Sequence, residues 1–105
     1  MSTARERKNR ADLLTAILSL ESLAEAERFF RDLCTPEELR ALSERWQIAV
    51  LLTEGKPYRE IAQKLKTSTT TVSRVAAWLN DGLGGYRLVL KRLHPHHSVS
   101  ISGKG

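Results

Sequence analysis

The sequence has little with which to build covalent or metal chemistry. One cysteine, Cys34, stands alone among 105 residues, which excludes an internal disulfide and any cysteine-rich zinc site. Its apolar neighbourhood points instead to a buried structural thiol. The three histidines, His94, His96 and His97, are confined to the last twelve residues with no carboxylate or cysteine beside them, so neither a metal nor a cofactor is expected. No histidine lies within reach of a nucleophile elsewhere in the sequence, and the paired acids Glu37 and Glu38 stand at a helix start where capping explains them. No enzyme activity is expected. Apolar runs never approach the roughly 18 residues of a membrane span. The N-terminus is basic and polar, without the hydrophobic stretch and cleavage site of an export signal, so a cytoplasmic protein with no membrane contact is expected.

What the chain does have is charge, unevenly placed. The formal net charge is +5. Residues 1–10 carry Arg5, Arg7, Lys8 and Arg10 against Glu6. Residues 11–55 are net acidic, with nine carboxylates against four bases. Residues 56–74 reverse the sign again, with Lys56, Arg59, Lys64, Lys66 and Arg74 against Glu60 alone. A basic patch on one short segment calls for a polyanionic partner. A solvated basic face with no partner is the bland alternative.

The apolar pattern reads as helix after helix. Leu13, Leu14, Ile17, Leu18 and Leu20 make one helical stripe from about Thr3 onward, behind polar first turns expected to fray. Ser22 with Glu25 has the form of a capping box for a second helix carrying Leu23, Ala26, Phe29, Phe30 and Leu33. Thr35-Pro36-Glu37-Glu38 opens a third helix that runs to Glu54 and stops at Gly55. That helix is apolar on two faces: Leu39, Leu42, Trp46, Ala49 and Thr53 on one, and Ala41, Ile48, Leu51 and Leu52 on another. A helix wetted on one side does not look like this. Burial between two protomers accounts for it; a monomer whose terminal helix covers the second face is the alternative.

Tyr58 to Leu79 is the informative stretch. Ile61, Ala62 and Leu65 form the inner face of a two-turn helix, Ser68 is placed to cap the next, and Val72, Val75, Ala76 and Leu79 form that helix's inner face. This is a helix-turn-helix pattern at residues 58–80. Its second helix presents Thr69, Thr70, Thr71, Ser73 and Arg74 outward, groups suited to base edges and phosphates in a major groove. Lys56, Lys64, Lys66 and Ser68 are expected to contact phosphates. Lys66 stands where such turns commonly have glycine, so a positive φ is predicted there at a cost of about 1 kcal/mol. An RNA-binding protein or a non-DNA-binding adaptor using the same basic helices is the competing reading, although a helix fits the major groove of DNA better than the narrow one of RNA. Beyond Asp81, a glycine-rich break is followed by a last short helix from Tyr86 to Leu93. The whole is expected to be all-α, with five to six helices. The expected divisions are a flexible basic arm at 1–10, the helical domain at 11–93 and a disordered tail at 94–105.

Thr35-Pro36-Glu37-Glu38-Leu39-Arg40-Ala41-Leu42, Arg45, Gly55, Arg59-Glu60-Ile61 and Thr71-Val72-Ser73-Arg74 together resemble the tryptophan repressor and its relatives. The closer likeness is to Trp-repressor-like proteins of the YerC/YecD type, which continue through a glycine-rich stretch like Leu83-Gly84-Gly85-Tyr86. The resemblance implies an intertwined homodimer with two DNA-binding heads, acting on duplex DNA as a transcriptional regulator, with repression as the expected sign. It also implies a guanine contact for Arg59 and operator-facing roles for Thr69, Thr70 and Ser73. It further implies an effector pocket with Arg45 and Arg74 on either side of a ligand and Thr35 nearby. Val75 stands where the repressor has glycine, and Trp78 lies one turn further on. The expectation is therefore that tryptophan is not the effector and that Val75 or Trp78 fills part of the pocket from within.

Overall fold

The computed structural model describes residues 2–95, all of its secondary structure helical. The elements are α1 (Ala4–Leu18), α2 (Leu23–Leu33), α3 (Pro36–Thr53), α4 (Tyr58–Leu65), α5 (Thr69–Asp81) and α6 (Gly85–Leu93). Of the expected tail, residues 96–105, with His96 and His97, lie outside the described residues.

The chain divides into two units that part between Leu39 and Arg40, where the sequence pattern suggests one domain over 11–93. The first unit is held by local chemistry. Thr3 and Glu6 form a reciprocal capping box at the start of α1. Residues 4–10 are accordingly the first turns of a capped helix, and not an arm distinct from the rest of α1. Ser22 caps α2 by accepting from the Glu25 amide at 3.1 Å, but the Glu25 carboxylate turns to the Glu21 amide at 2.9 Å instead of completing a box with Ser22. Phe29 and Phe30 meet edge to face at 5.7 Å. Cys34 closes α2, half-buried and not, as expected, buried, because it sits at the helix end. Neither α1 nor α2 has a single buried residue. Leu18 is 84% and Leu23 86% exposed, while Ile17, Phe29 and Phe30 are half-buried, so the apolar stripes of both helices are only partly covered within one chain.

The second unit contains the core. Ile48 to Thr53 are six consecutive buried residues at the end of α3, which places neighbours on every side of that helix. α4 packs on α5, and α5 on α6. Ile61 and Ala62 of α4, Val72, Val75, Ala76 and Leu79 of α5, and Leu90 of α6 complete the cluster. Each fully buried Ile or Leu contributes about 1.5–3 kcal/mol. Thr53, the one buried polar residue among those described, donates its hydroxyl to the Val50 carbonyl at 2.7 Å, so its burial leaves no donor unmet.

Aromatic rings and one arginine tie α6 to the rest of the unit. Trp46 stacks on Tyr86 with centroids 6.5 Å apart, and the His94 ring lies 6.4 Å from that of Trp46. Arg87 donates from Nε to the Leu79 carbonyl at 2.9 Å and from Nη2 to Asn80 Oδ1 at 3.0 Å. The first of these bonds satisfies an acceptor that the last turn of α5 leaves open. Between α5 and α6, Gly84 has φ +86°, and a Cβ on Gly82 would run into the Trp78 carbonyl oxygen. Gly85 has open space around it.

Gly82→Ala is therefore expected to lower stability by about 1–3 kcal/mol, the range for forced overpacking, whereas Gly85→Ala should leave it unchanged or raise it slightly. Thermal unfolding of the two variants side by side checks this; equal melting temperatures would contradict the steric reading.

Candidate nucleic-acid interface

The helix pair α4–α5 is built almost wholly from short-range signals. Lys66 ends α4 with φ 56° and ψ 48°, in the left-handed region, as its place in the turn predicts. It is the one non-glycine residue with positive φ among the described residues. The amide of Thr67 donates to the Ala62 carbonyl at 2.9 Å, closing the helix end over the turn. Ser68 then caps α5, accepting from the Thr71 amide at 3.1 Å. The buried Ala62 and Val72 are small enough to let the two helices cross closely, and Val72 and Ile61 are fully buried.

This geometry sorts the expected DNA-binding residues. Arg59, Lys64, Lys66, Thr69, Thr70, Ser73 and Arg74 do not enter the core, and all are exposed to water, with Lys66 at the turn. Lys56 is exposed as well, but lies 3.7 Å from Glu60 in an ion pair. Thr71 departs from expectation: it is half-buried, and its hydroxyl lies 3.0 Å from that of Ser68. Ser68 and Thr71 therefore share a cap that sets the start of α5, because an N-cap oxygen must point back at the first-turn amides. Thr69, Thr70, Ser73, Arg74 and Ala77 also line a groove of about 470 Å³ together with Tyr58. Tyr58 is half-buried and packs against the core. Sequence reasoning did not single it out; its place at the first position of α4 was the available signal.

Of the residues expected around an effector, Arg45 and Trp78 are brought together. Thr35 caps α3 in a reciprocal box with Glu38, with bonds of 3.1 and 2.8 Å. Val75 is fully buried in the core. The guanidinium of Arg45 lies 5.8 Å from the Trp78 ring centroid, a cation–π contact. Arg45 also acts on Tyr86, whose hydroxyl pKa is pushed above its ordinary value by burial, with the Arg45 charge opposing the rise. Arg74 lines the groove with Tyr58. A separate apolar hollow of about 540 Å³ is lined by Trp46, Trp78, Leu83, Tyr86 and Val89 with Gly82 and Gly85. Among the described residues, no cluster of histidine, cysteine, aspartate or glutamate could hold a metal, and no helix is long and apolar enough to cross a membrane.

A short helix, a left-handed turn and a second helix with a polar, basic outer face define a helix-turn-helix protein of the all-α class. Residues 8–94 match the family model described as Trp repressor protein. The uncharacterised protein YerC of Bacillus subtilis is 41% identical over 90 residues, 86% of each chain. Two solved structures are similar. One is a TrpR-like protein from Eubacterium eligens, 45% identical with TM-score 0.79, over 82% of this chain and 89% of that one. The other is a candidate Trp repressor from Staphylococcus aureus, 36% identical with TM-score 0.82, over 92% of this chain and all of that one. The chain belongs to the Trp repressor family, whose members are transcription regulators and not enzymes.

Because Lys66 is the strained position, Lys66→Gly is expected to raise stability by about 0.5–1 kcal/mol by removing a side chain from a left-handed residue. Urea unfolding measures it, and a loss of stability would show that the lysine stem contributes packing that outweighs its backbone cost.

Proposed function

We propose that this protein is a homodimeric transcription regulator of the cytoplasm that binds duplex DNA sequence-specifically through α4 and α5, acts as a repressor, and does not respond to tryptophan. The observation that carries the reading is the outer face of the helix pair, where Arg59, Lys64 and Arg74 stand exposed beside the hydroxyls of Thr69, Thr70 and Ser73. Cations there supply the sequence-independent attraction to phosphate, and short donors and acceptors at the start of a recognition helix supply the reading of base edges. Arg59, Thr69, Thr70 and Ser73 read; Lys56, Lys64 and Lys66 hold phosphates; Ser68 and Thr71 act through the cap that fixes α5.

The dimer is supported by apolar surface that one chain leaves in water. Leu13, Leu14, Leu18 and Leu23 are exposed in the first unit, and the second unit presents its own apolar hollow around Trp46 and Trp78. A second copy supplies the cover that both require. The absence of a tryptophan response is supported by the engagement of Arg45 with Trp78 of its own chain. An indole is already held against the arginine that a free tryptophan would need.

In fluorescence anisotropy with a duplex selected from genomic fragments, Arg59→Ala should cost about 1–3 kcal/mol of preference at one base position. Lys64→Ala should weaken selected and random duplexes alike and flatten the salt dependence. Added tryptophan should leave every affinity unchanged. Equal loss on selected and random DNA for Arg59→Ala would remove its reading role. Binding to structured RNA in place of duplex, or to neither, would overturn the DNA reading.

A further inference from the structure

The last turn of α5 is fastened to two different helices by two arginines. Arg87 of α6 donates to the Leu79 carbonyl and to Asn80. Arg45 of α3 places its guanidinium 5.8 Å from the centroid of the Trp78 ring. Trp46, the next residue of α3, stacks on Tyr86 at the start of α6. Burial raises the pKa of the Tyr86 hydroxyl, and the nearby Arg45 charge opposes that rise. Two consecutive residues of α3 thus hold both sides of the glycine-rich turn, Arg45 by way of α5 and Trp46 by way of α6.

The Arg45 contact differs in kind from the packing of the core. Val72, Val75, Ala76 and Leu79 are buried, whereas Trp78 is 49% exposed and Arg45 is exposed as well. An aliphatic inner face resists being pulled away from its neighbours, but apolar attraction has no preferred direction and holds rotation about the helix axis less firmly. The backbone beyond each end of α5 adds little restraint, since Lys66 before it and Gly84 after it both lie in the left-handed region. A guanidinium set over one face of a ring on the flank of the helix is directional. Arg74 stands one turn before Trp78 on the same side of α5, so the angle at which Trp78 is held also sets where the first turn of α5 points.

We propose that Arg45 and Trp78 are positioning residues for DNA binding: their clasp fixes the rotation of α5, and with it the aim of Thr69, Thr70, Ser73 and Arg74, while neither residue touches the duplex. A helix held at the docking angle before DNA arrives need not be selected from a spread of orientations, and affinity rises by the fraction so restored. This rests on the DNA-binding reading and adds to it two residues outside the reading face.

The test is a double-mutant cycle on the full chain, read by fluorescence anisotropy with a duplex selected from genomic fragments. Arg45→Met keeps the stem and removes the cation; Trp78→Leu keeps apolar bulk and removes the ring. Each should weaken binding about two- to fivefold, the worth of one exposed cation–π contact. The double variant should bind no worse than the weaker single, because both changes remove the same contact. The slope of log affinity against log salt should stay as in the wild type, since no phosphate contact is lost. Arg45→Lys retains a cation and should keep most of the affinity. Circular dichroism reports whether each variant is folded; should Trp78→Leu lose helix, a loss of affinity in Arg45→Met with retention in Arg45→Lys carries the proposal, and equal affinities in the two overturn it. If both single variants bind as the wild type does and only melt earlier, the contact is structural and the proposal fails while DNA binding stands. Losses that multiply in the double variant, or a salt slope lowered by about one in Arg45→Met, the mark of a direct phosphate contact, overturn it equally. If the wild type binds no duplex, the DNA reading fails and the positioning role with it.

Discussion

Six buried residues in a row at the end of α3 set the terms for everything around them. A helix turns once every 3.6 residues, so Ile48 to Thr53 face every direction, and each is covered. No arrangement on one side of α3 achieves that. α4, α5 and α6 each contribute to the core cluster, through Ile61 and Ala62, the Val72-to-Leu79 face, and Leu90. The orientation of the helix-turn-helix is a consequence of that packing. Exposed cations and hydroxyls are left on its outer side because the inner side is committed to the core.

The other apolar stripes of the chain lack such cover. α1 and α2 are capped at their starts by Thr3 and Ser22 yet bury nothing, and Leu42 and Leu33 remain exposed as well. Short isolated helices are marginal in water even with good caps, so caps alone do not account for a stable first unit. The proposed second copy resolves both problems with one interaction, since it buries apolar stripes that have no partner at home and brings two reading heads into one assembly.

Much of this is legible in the residues because much of it is local. A cap needs two residues three apart, and Thr35 with Glu38 and Ser68 with Thr71 behave as written. A left-handed turn needs one residue, and Lys66 adopts it despite its side chain. Helical periodicity marks Val72, Val75, Ala76 and Leu79 as an inner face, and all four are buried. Contact between distant segments has no such signature. The Arg45–Trp78 and Trp46–Tyr86 pairs and the Arg87 clasp on α5 join residues 7 to 40 positions apart, and no spacing rule announces them. A hydroxyl suits DNA, so the pattern turns Thr71 outward; in the structure the cap of α5 claims that hydroxyl first. The basic start of α1 has no apolar residue larger than Ala4 and so resembles an arm, yet Thr3 and Glu6 hold it helical.

The proposed dependence of one chain's remaining apolar surface on a second copy is tested most directly by sedimentation equilibrium of the full chain at micromolar concentration, together with thermal unfolding at several protein concentrations. A dimer mass is predicted, with a melting temperature that rises with concentration, as mass action requires when folding and association are linked. A monomer mass with full helix content and a melting temperature independent of concentration would contradict it.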